Sequence, residues 1–157
     1  MAQLLNGLWV TSPQDVVSQF ECSHKVTLNA ALVTGSLDFQ QEDNPELDLL
    51  KQQGLDHEHR RLEQLNPSWR VKRLAVPAHT PAAYETAWEA TRQAMEDEYD
   101  AIYQATLFTG DFIGIADFLI LKRTPDGEIQ RGPDGLAVYE PVDTKSARAA
   151  KNSAVLQ

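Results

Sequence analysis

The residues best suited to chemistry lie between positions 114 and 145. The run Tyr139-Glu140-Pro141-Val142-Asp143-Thr144-Lys145 sets a carboxylate and an amine two residues apart. On a strand that spacing puts both side chains on one face, so Asp143 and Lys145 project together. Asp117 is a lone charge in the apolar run Gly114-Ile115-Ala116-Asp117-Phe118-Leu119. A buried carboxylate is costly unless it is paired or bound to a cation. Two aspartates on neighbouring strands make a hard oxygen site suited to Mg²⁺ or Mn²⁺. A lysine beside them can orient or deprotonate a water, or stabilise charge on a reacting phosphate. Phosphodiester hydrolysis needs that combination. The plain alternative is a salt bridge between Lys145 and one aspartate, since D-x-K arises often by chance.

These residues need strands beneath them and helices around them. Ser12-Pro13-Gln14-Asp15 predicts a helix to about Phe20, with Ser12 as cap and Pro13 in the first turn. A second helix is expected over Ser23 to Thr34, stopped by Gly35, and a long third one from Pro45 to about Leu65. Leu47, Leu50, Leu55, Leu62 and Leu65 are the expected buried stripe of the third, with Gly54 a weak point. Trp69 to Val76 alternates apolar and basic residues and reads as a half-exposed strand. Thr80-Pro81 opens a helix to about Glu96. Three strands follow: Ala101 to Phe108, Phe112 to Leu121 after a tight turn at Thr109-Gly110-Asp111, and Leu136 to about Lys145. Pro125-Asp126-Gly127 and Gly132-Pro133-Asp134-Gly135 mark a loop or hairpin excursion between the last two. The tail from Ser146 to Gln157 is expected to be helical and to stop in mid-helix, as in an excised or truncated domain. No internal repeat is evident. The order implies one α/β domain with a mixed sheet flanked by helices.

Composition narrows the classes further. The chain has 157 residues, with 42% hydrophobic and 24% charged, ordinary for one globular domain. No apolar run is long enough for a transmembrane helix, and the start lacks the pattern of a signal peptide. The single cysteine, Cys22, excludes an internal disulfide framework and is expected to be a small buried hydrophobe. A cytoplasmic location is the default. The net charge of -9 argues against coating nucleic acid by bulk electrostatics. It leaves room for an enzyme that grips a few phosphates through a bound cation, whose carboxylates lower the formal charge.

The constellation resembles the RecB-like branch of the PD-(D/E)XK nuclease superfamily. That branch carries a G-x-x-D-F-L strand, an E-x-x-D-x-K strand and a helix with Q-x-x-x-Y. Here Gly114 to Leu119, Glu140 to Lys145 and, for the first position of the last motif, Gln157 match. The branch also places a histidine after a glycine on an early helix, as in Gly54-Leu55-Asp56-His57-Glu58. The Ser12-Pro13 to His24 stretch and Ile102 to Leu107 are similar to the same group. The resemblance implies a restriction-endonuclease-like core with His57, Asp117 and Asp143 on an Mg²⁺ or Mn²⁺ ion, the Thr144 carbonyl as an added ligand and Lys145 as the catalytic lysine. It implies that Glu58 binds a second metal or orients His57, and that Gln157 touches the surroundings of the lysine or the DNA. Three departures stand. Pro141 sits inside a strand, where it demands an edge or bulge; the motif tyrosine is missing; and no late cysteines accompany Cys22, so no iron–sulfur cluster is expected.

Of the four histidines, His24, His57, His59 and His79, the bland reading is a solvated surface residue. His59 lies about 200° around a helix from His57, so the two cannot easily share a metal. Gln104 either points into the cleft of Asp117 as a substrate contact or satisfies a strand edge. Arg70, Lys72 and Arg73 either line a phosphate path or form a solvated strand face. Arg148 and Lys151, just past the lysine motif, are better placed to hold a phosphate backbone, with a solvated helix face as the equal alternative. The expectation is thus a metal-dependent DNA nuclease domain, with single-stranded DNA among its candidate substrates, no membrane partner and a place in a larger multidomain repair protein. The alternative is a nucleic-acid-binding or assembly module with a vestigial site.

Overall fold

The computed structural model describes residues 3–38, 44–65 and 67–144. Its elements, in order, are β1 (Gln3–Leu5), β2 (Leu8–Val10), α1 (Pro13–Glu21), α2 (Ser23–Val33), α3 (Pro45–Glu63), β3 (Val71–Arg73), α4 (Pro81–Glu96), β4 (Ala101–Phe108), β5 (Ile113–Leu121) and β6 (Tyr139–Val142). Among the described residues this is a mixed α/β chain of four helices, a two-stranded hairpin and a four-stranded sheet ordered β3-β4-β5-β6. β3 runs parallel to β4, and α4 supplies the crossover that a parallel pair requires. The β4–β5 and β5–β6 pairs are antiparallel. The expected tail helix from Ser146 onward lies outside the described residues.

Local chemistry explains most boundaries. Asp15 reaches back from the first turn of α1 to accept the Ser12 N–H at 2.9 Å and the Ser12 hydroxyl at 2.6 Å. Asn44 caps α3 through Glu46 and Leu47, and Thr80 caps α4 through the Ala83 N–H. Gly35 follows α2 with φ 72°, a left-handed stop that glycine adopts without strain. Asn6 and Gly7, at φ 52° and 83°, make the tight turn that matches the twist of β1 and β2, a hairpin not anticipated above. Pro141 removes a donor from β6, and β6 is the edge strand of the described sheet.

The core has two parts. Val10, Tyr84, Phe108 and Ile113 form one, with Leu5 and Trp88 packed against it. The Tyr84 hydroxyl is satisfied there, donating to Gln3 Oε1 at 2.9 Å and lying 2.8 Å from His79 Nδ1. Ala94, Ile102, Ala105 and Leu119 form the other, between α4 and the sheet.

Three expectations are corrected. Of the five leucines expected to be buried on α3, Leu62 is buried, Leu65 is half-buried, and Leu47, Leu50 and Leu55 are exposed. The side-chain hydrogen bonds from this helix to the sheet are made by Glu58, to Tyr103 and Gln104. Cys22 is exposed, not buried; it occupies the extended joint (φ -164°, ψ 101°) between α1 and α2. The strand expected from Trp69 to Val76 shrinks to three residues, ending at the Arg73–Tyr103 pair. Its next partner would be Gln104, whose backbone has left the strand conformation at φ 57°.

The excursion between β5 and β6 corrects a fourth: it is an internal repeat. Arg123-Thr-Pro-Asp-Gly-Glu-Ile-Gln130 is followed at once by Arg131-Gly-Pro-Asp-Gly-Leu-Ala-Val138. The two octapeptides fold alike. Proline and glycine take the positions a type I turn favours, and bridges join Arg123 to Ile129 and Arg131 to Ala137. Each arginine closes its own turn, Nη1 donating to the carbonyl of Gly127 or Gly135 at 3.1 Å. Each then pairs with an acid just before β4, Arg123 with Asp100 and Arg131 with Glu98, both at 2.7 Å. Residues 122, 130 and 138 close a ring of backbone bonds, each 2.9 Å: Gln130 N–H to Lys122, Val138 N–H to Gln130 and Lys122 N–H to Val138. That ring fixes where β6 starts, and so where Asp143 arrives.

The two arginines differ in worth. Asp100 is the better-shielded acid, its side chain 14% exposed against 33% for Glu98. Burial pushes the Asp100 carboxyl up, but the Arg123 guanidinium and the Arg70 N–H outweigh it and leave it below its ordinary value. Arg123→Ala is therefore expected to cost about 1–2 kcal/mol, and Arg131→Ala less than about 1 kcal/mol. A carboxyl lowered in the folded state stabilises above its unfolded value and loses that stabilisation as pH falls through its folded value. Thermal melts should thus show the Arg123→Ala deficit at neutral pH and its shrinkage below about pH 4.

Candidate functional site

The centre of the candidate site is one distorted rung of the sheet. The β4–β5 ladder steps from Tyr103 opposite Phe118 to Ala105 opposite Ala116, leaving out Gln104 and Asp117 between them. Regular alternation sends residues three apart to opposite faces. Here Ile102 and Ala105 both pack toward α4, as do Leu119 and Ala116. The left-handed backbone of Gln104 resets the phase on β4, and β5 follows. Two successive residues of each strand are left for the other face. Tyr103 stacks on Phe118, ring centres 5.2 Å apart. Tyr103 Oη and Gln104 Nε2 both donate to one oxygen of Glu58 on α3, at 3.2 and 2.9 Å.

Asp117 is half-buried on this face. Its Oδ2 accepts the Thr144 N–H at 2.7 Å and the Thr144 hydroxyl at 2.9 Å. These two bonds tie the second residue after β6 to β5 and bring Asp143 against Asp117. Burial pushes the Asp117 carboxyl up to about 6, the Asp143 carboxyl and the negative Glu58 push the same way, and the Thr144 donors oppose them. The Tyr103 hydroxyl is also raised, by burial first and then by the charges of Glu58 and Asp117. Asp117 and Asp143 therefore meet as read from the sequence, with Glu58 across from them.

The other expected site residues divide. Thr144 is present, but the groups it turns to Asp117 are its N–H and hydroxyl. Gln104 donates its amide to Glu58, on the side of the sheet away from α4. His57 is half-buried on α3 and His59, its neighbour but one, is exposed; Glu58, between them, is the α3 side chain that meets β4. Among the described residues no group of three or more His, Cys, Asp or Glu side chains is arranged to hold a metal ion. Lys145, Arg148 and Gln157 lie outside the described residues, as does Lys151. Arg70 and Lys72 lie over the Tyr99 ring, 4.6 and 5.7 Å from its centre. The only sequence signal for Tyr103 is its place between the apolar Ile102 and Gln104.

No protein-family model, curated protein or solved structure matches the chain. No helix among the described residues is long and apolar enough to cross a membrane.

Proposed function

We propose that this chain is a nuclease domain with a restriction-endonuclease-like core, hydrolysing phosphodiester bonds in DNA with Mg²⁺ or Mn²⁺. The observation that carries the reading is the contact between Asp117 and Asp143. Two carboxylates from separate segments are held together by Thr144, with Glu58 facing them. Their donor set is all oxygen and crowded with negative charge, which fits a hard divalent cation. Asp117 and Asp143 would hold that cation directly, with His57 and the Thr144 carbonyl as the further ligands that the resemblance implies. A bound cation supplies charge neutralisation at the phosphate and an activated water.

The chain's own residues do the rest. Thr144 places both of its donors on one Asp117 oxygen and so fixes the orientation of that carboxylate. The half-buried setting strengthens every charge interaction there. Lys145, next after Thr144, is the residue that would orient the attacking water or stabilise the negative charge on the phosphate oxygens. Water adds to phosphorus, the bond to the leaving sugar oxygen breaks, and that oxygen takes up a proton. Gln157 and Arg148 would contact the nucleic acid.

The test is incubation of single- and double-stranded DNA with Mg²⁺ or Mn²⁺. Cutting that a chelator stops and added metal restores is the expected outcome. Retention of DNA without cutting, independent of metal and steeply weakened by salt, would instead identify a binding module with a vestigial site.

A further inference from the structure

We propose that Gln104 is a positioning residue, whose left-handed backbone turns it and Tyr103 to one face so that both clamp the Glu58 carboxylate beside Asp117 and Asp143. The inference rests on the cation-binding reading of that site.

Three observations carry it. Gln104 has φ 57° in the middle of an eight-residue strand. Residues other than glycine seldom adopt that conformation, asparagine and aspartate being the usual exceptions. Such a strained residue persists only where its surroundings hold it, and such positions cluster at functional sites. Second, a regular strand would send Tyr103 and Gln104 to opposite faces. Instead their two donors converge on a single Glu58 oxygen, at 3.2 and 2.9 Å. Third, the reversal falls at the rung that carries Asp117. A regular rung would bury Asp117 toward α4 with Leu119 of the same strand face. The same backbone feature thus leaves Asp117 on the Glu58 side of the sheet and supplies two donors that hold that carboxylate in place. With Oε2 occupied by these donors, the other oxygen of Glu58 has a defined direction, and it would join Asp117 and Asp143 as a ligand of the cation.

Outer partners that orient a metal-binding carboxylate are typically worth about 10- to 100-fold in metal affinity. Gln104→Gly keeps the backbone conformation without strain and removes the amide. Gln104→Asn tolerates the conformation but withdraws the amide by one methylene. Calorimetric titration of the full chain with Mn²⁺, in the absence of DNA, should show about tenfold weaker binding for both variants, with melting temperatures no lower than the parent. In a Glu58→Gln background, Gln104→Gly should weaken binding no further. In the metal-free protein, the Gln104 side-chain amide should give a shifted, slowly exchanging NMR signal that Glu58→Gln moves and His59→Ala does not. A parent that binds Mn²⁺ with variants that bind equally well overturns the positioning role. So does an additive loss in the Glu58→Gln background, or an amide signal like that of a solvated glutamine. A parent that binds no Mn²⁺ overturns the cation-binding reading itself, and the amide signal still tells whether the clamp exists.

Discussion

Asp117→Asn is expected to abolish metal-dependent cleavage, by roughly a thousand-fold or more, while making the metal-free protein more stable at neutral pH. The two effects share one cause. Burial and two nearby carboxylates hold the Asp117 carboxyl at about 6, above its unfolded value. A raised carboxyl leaves folding unaffected below the unfolded value, where it is protonated in both states. Its ionisation then costs stability progressively as pH climbs to about 6, and in full above that. Asparagine keeps an oxygen for the two Thr144 donors and removes the charge. The gain is about 1–2 kcal/mol at this part-exposed group once solvent screening is allowed for, or about 3–6 °C in melting temperature. Melts at pH 8 and at pH 4 should show the gain at the first and its disappearance at the second. A destabilised variant at pH 8 would mean that the charge is neutralised locally and that the acid pair is not strained.

Phe118→Ala should be the most destabilising single change near the site. Phe118 is 1% exposed on β5 and stacks on Tyr103. It also lies next to Asp117 on β5, on the face of the sheet away from α4. Truncation leaves a cavity and removes the ring contact, for about 3–5 kcal/mol, or roughly 10 °C in melting temperature. Phe118→Leu should cost about 1–2 kcal/mol. Denaturant titration of the three proteins tests this directly. A loss below about 1 kcal/mol for alanine would mean that the Tyr103–Phe118 layer is not packed as described.

Much of this fold could be read in the residues because each signal had a local cause. The Pro13 and Pro81 starts, the Gly35 stop and the tight turn at Gly110 are set by backbone sterics within a few positions. The pairing of Asp117 with Asp143 was legible because a lone carboxylate in an apolar strand demands a partner. What was not legible depends on distance or on rare conformations. The leucines of α3 look amphipathic, yet nothing in their spacing says that Leu62 is buried while Leu47, Leu50 and Leu55 are exposed. Asn6-Gly7 carries a hairpin signal, but strands of three residues show too little alternation to support it. Gln104 is a residue with no preference for left-handed backbone, so the reversal on β4 had no signature. The octapeptide repeat was present in the letters and concealed by its shortness. Its identity emerges only when both arginines are seen to close turns and reach Glu98 and Asp100.

The most direct test of the nuclease reading is cleavage of end-labelled single- and double-stranded DNA with Mn²⁺, comparing the chain with its Lys145→Ala variant. Cutting by the parent, lost in the variant, is the expected result. Equal cutting by both proteins would contradict the assignment of Lys145, and metal-supplemented parent protein that leaves both DNA forms intact would contradict the nuclease itself.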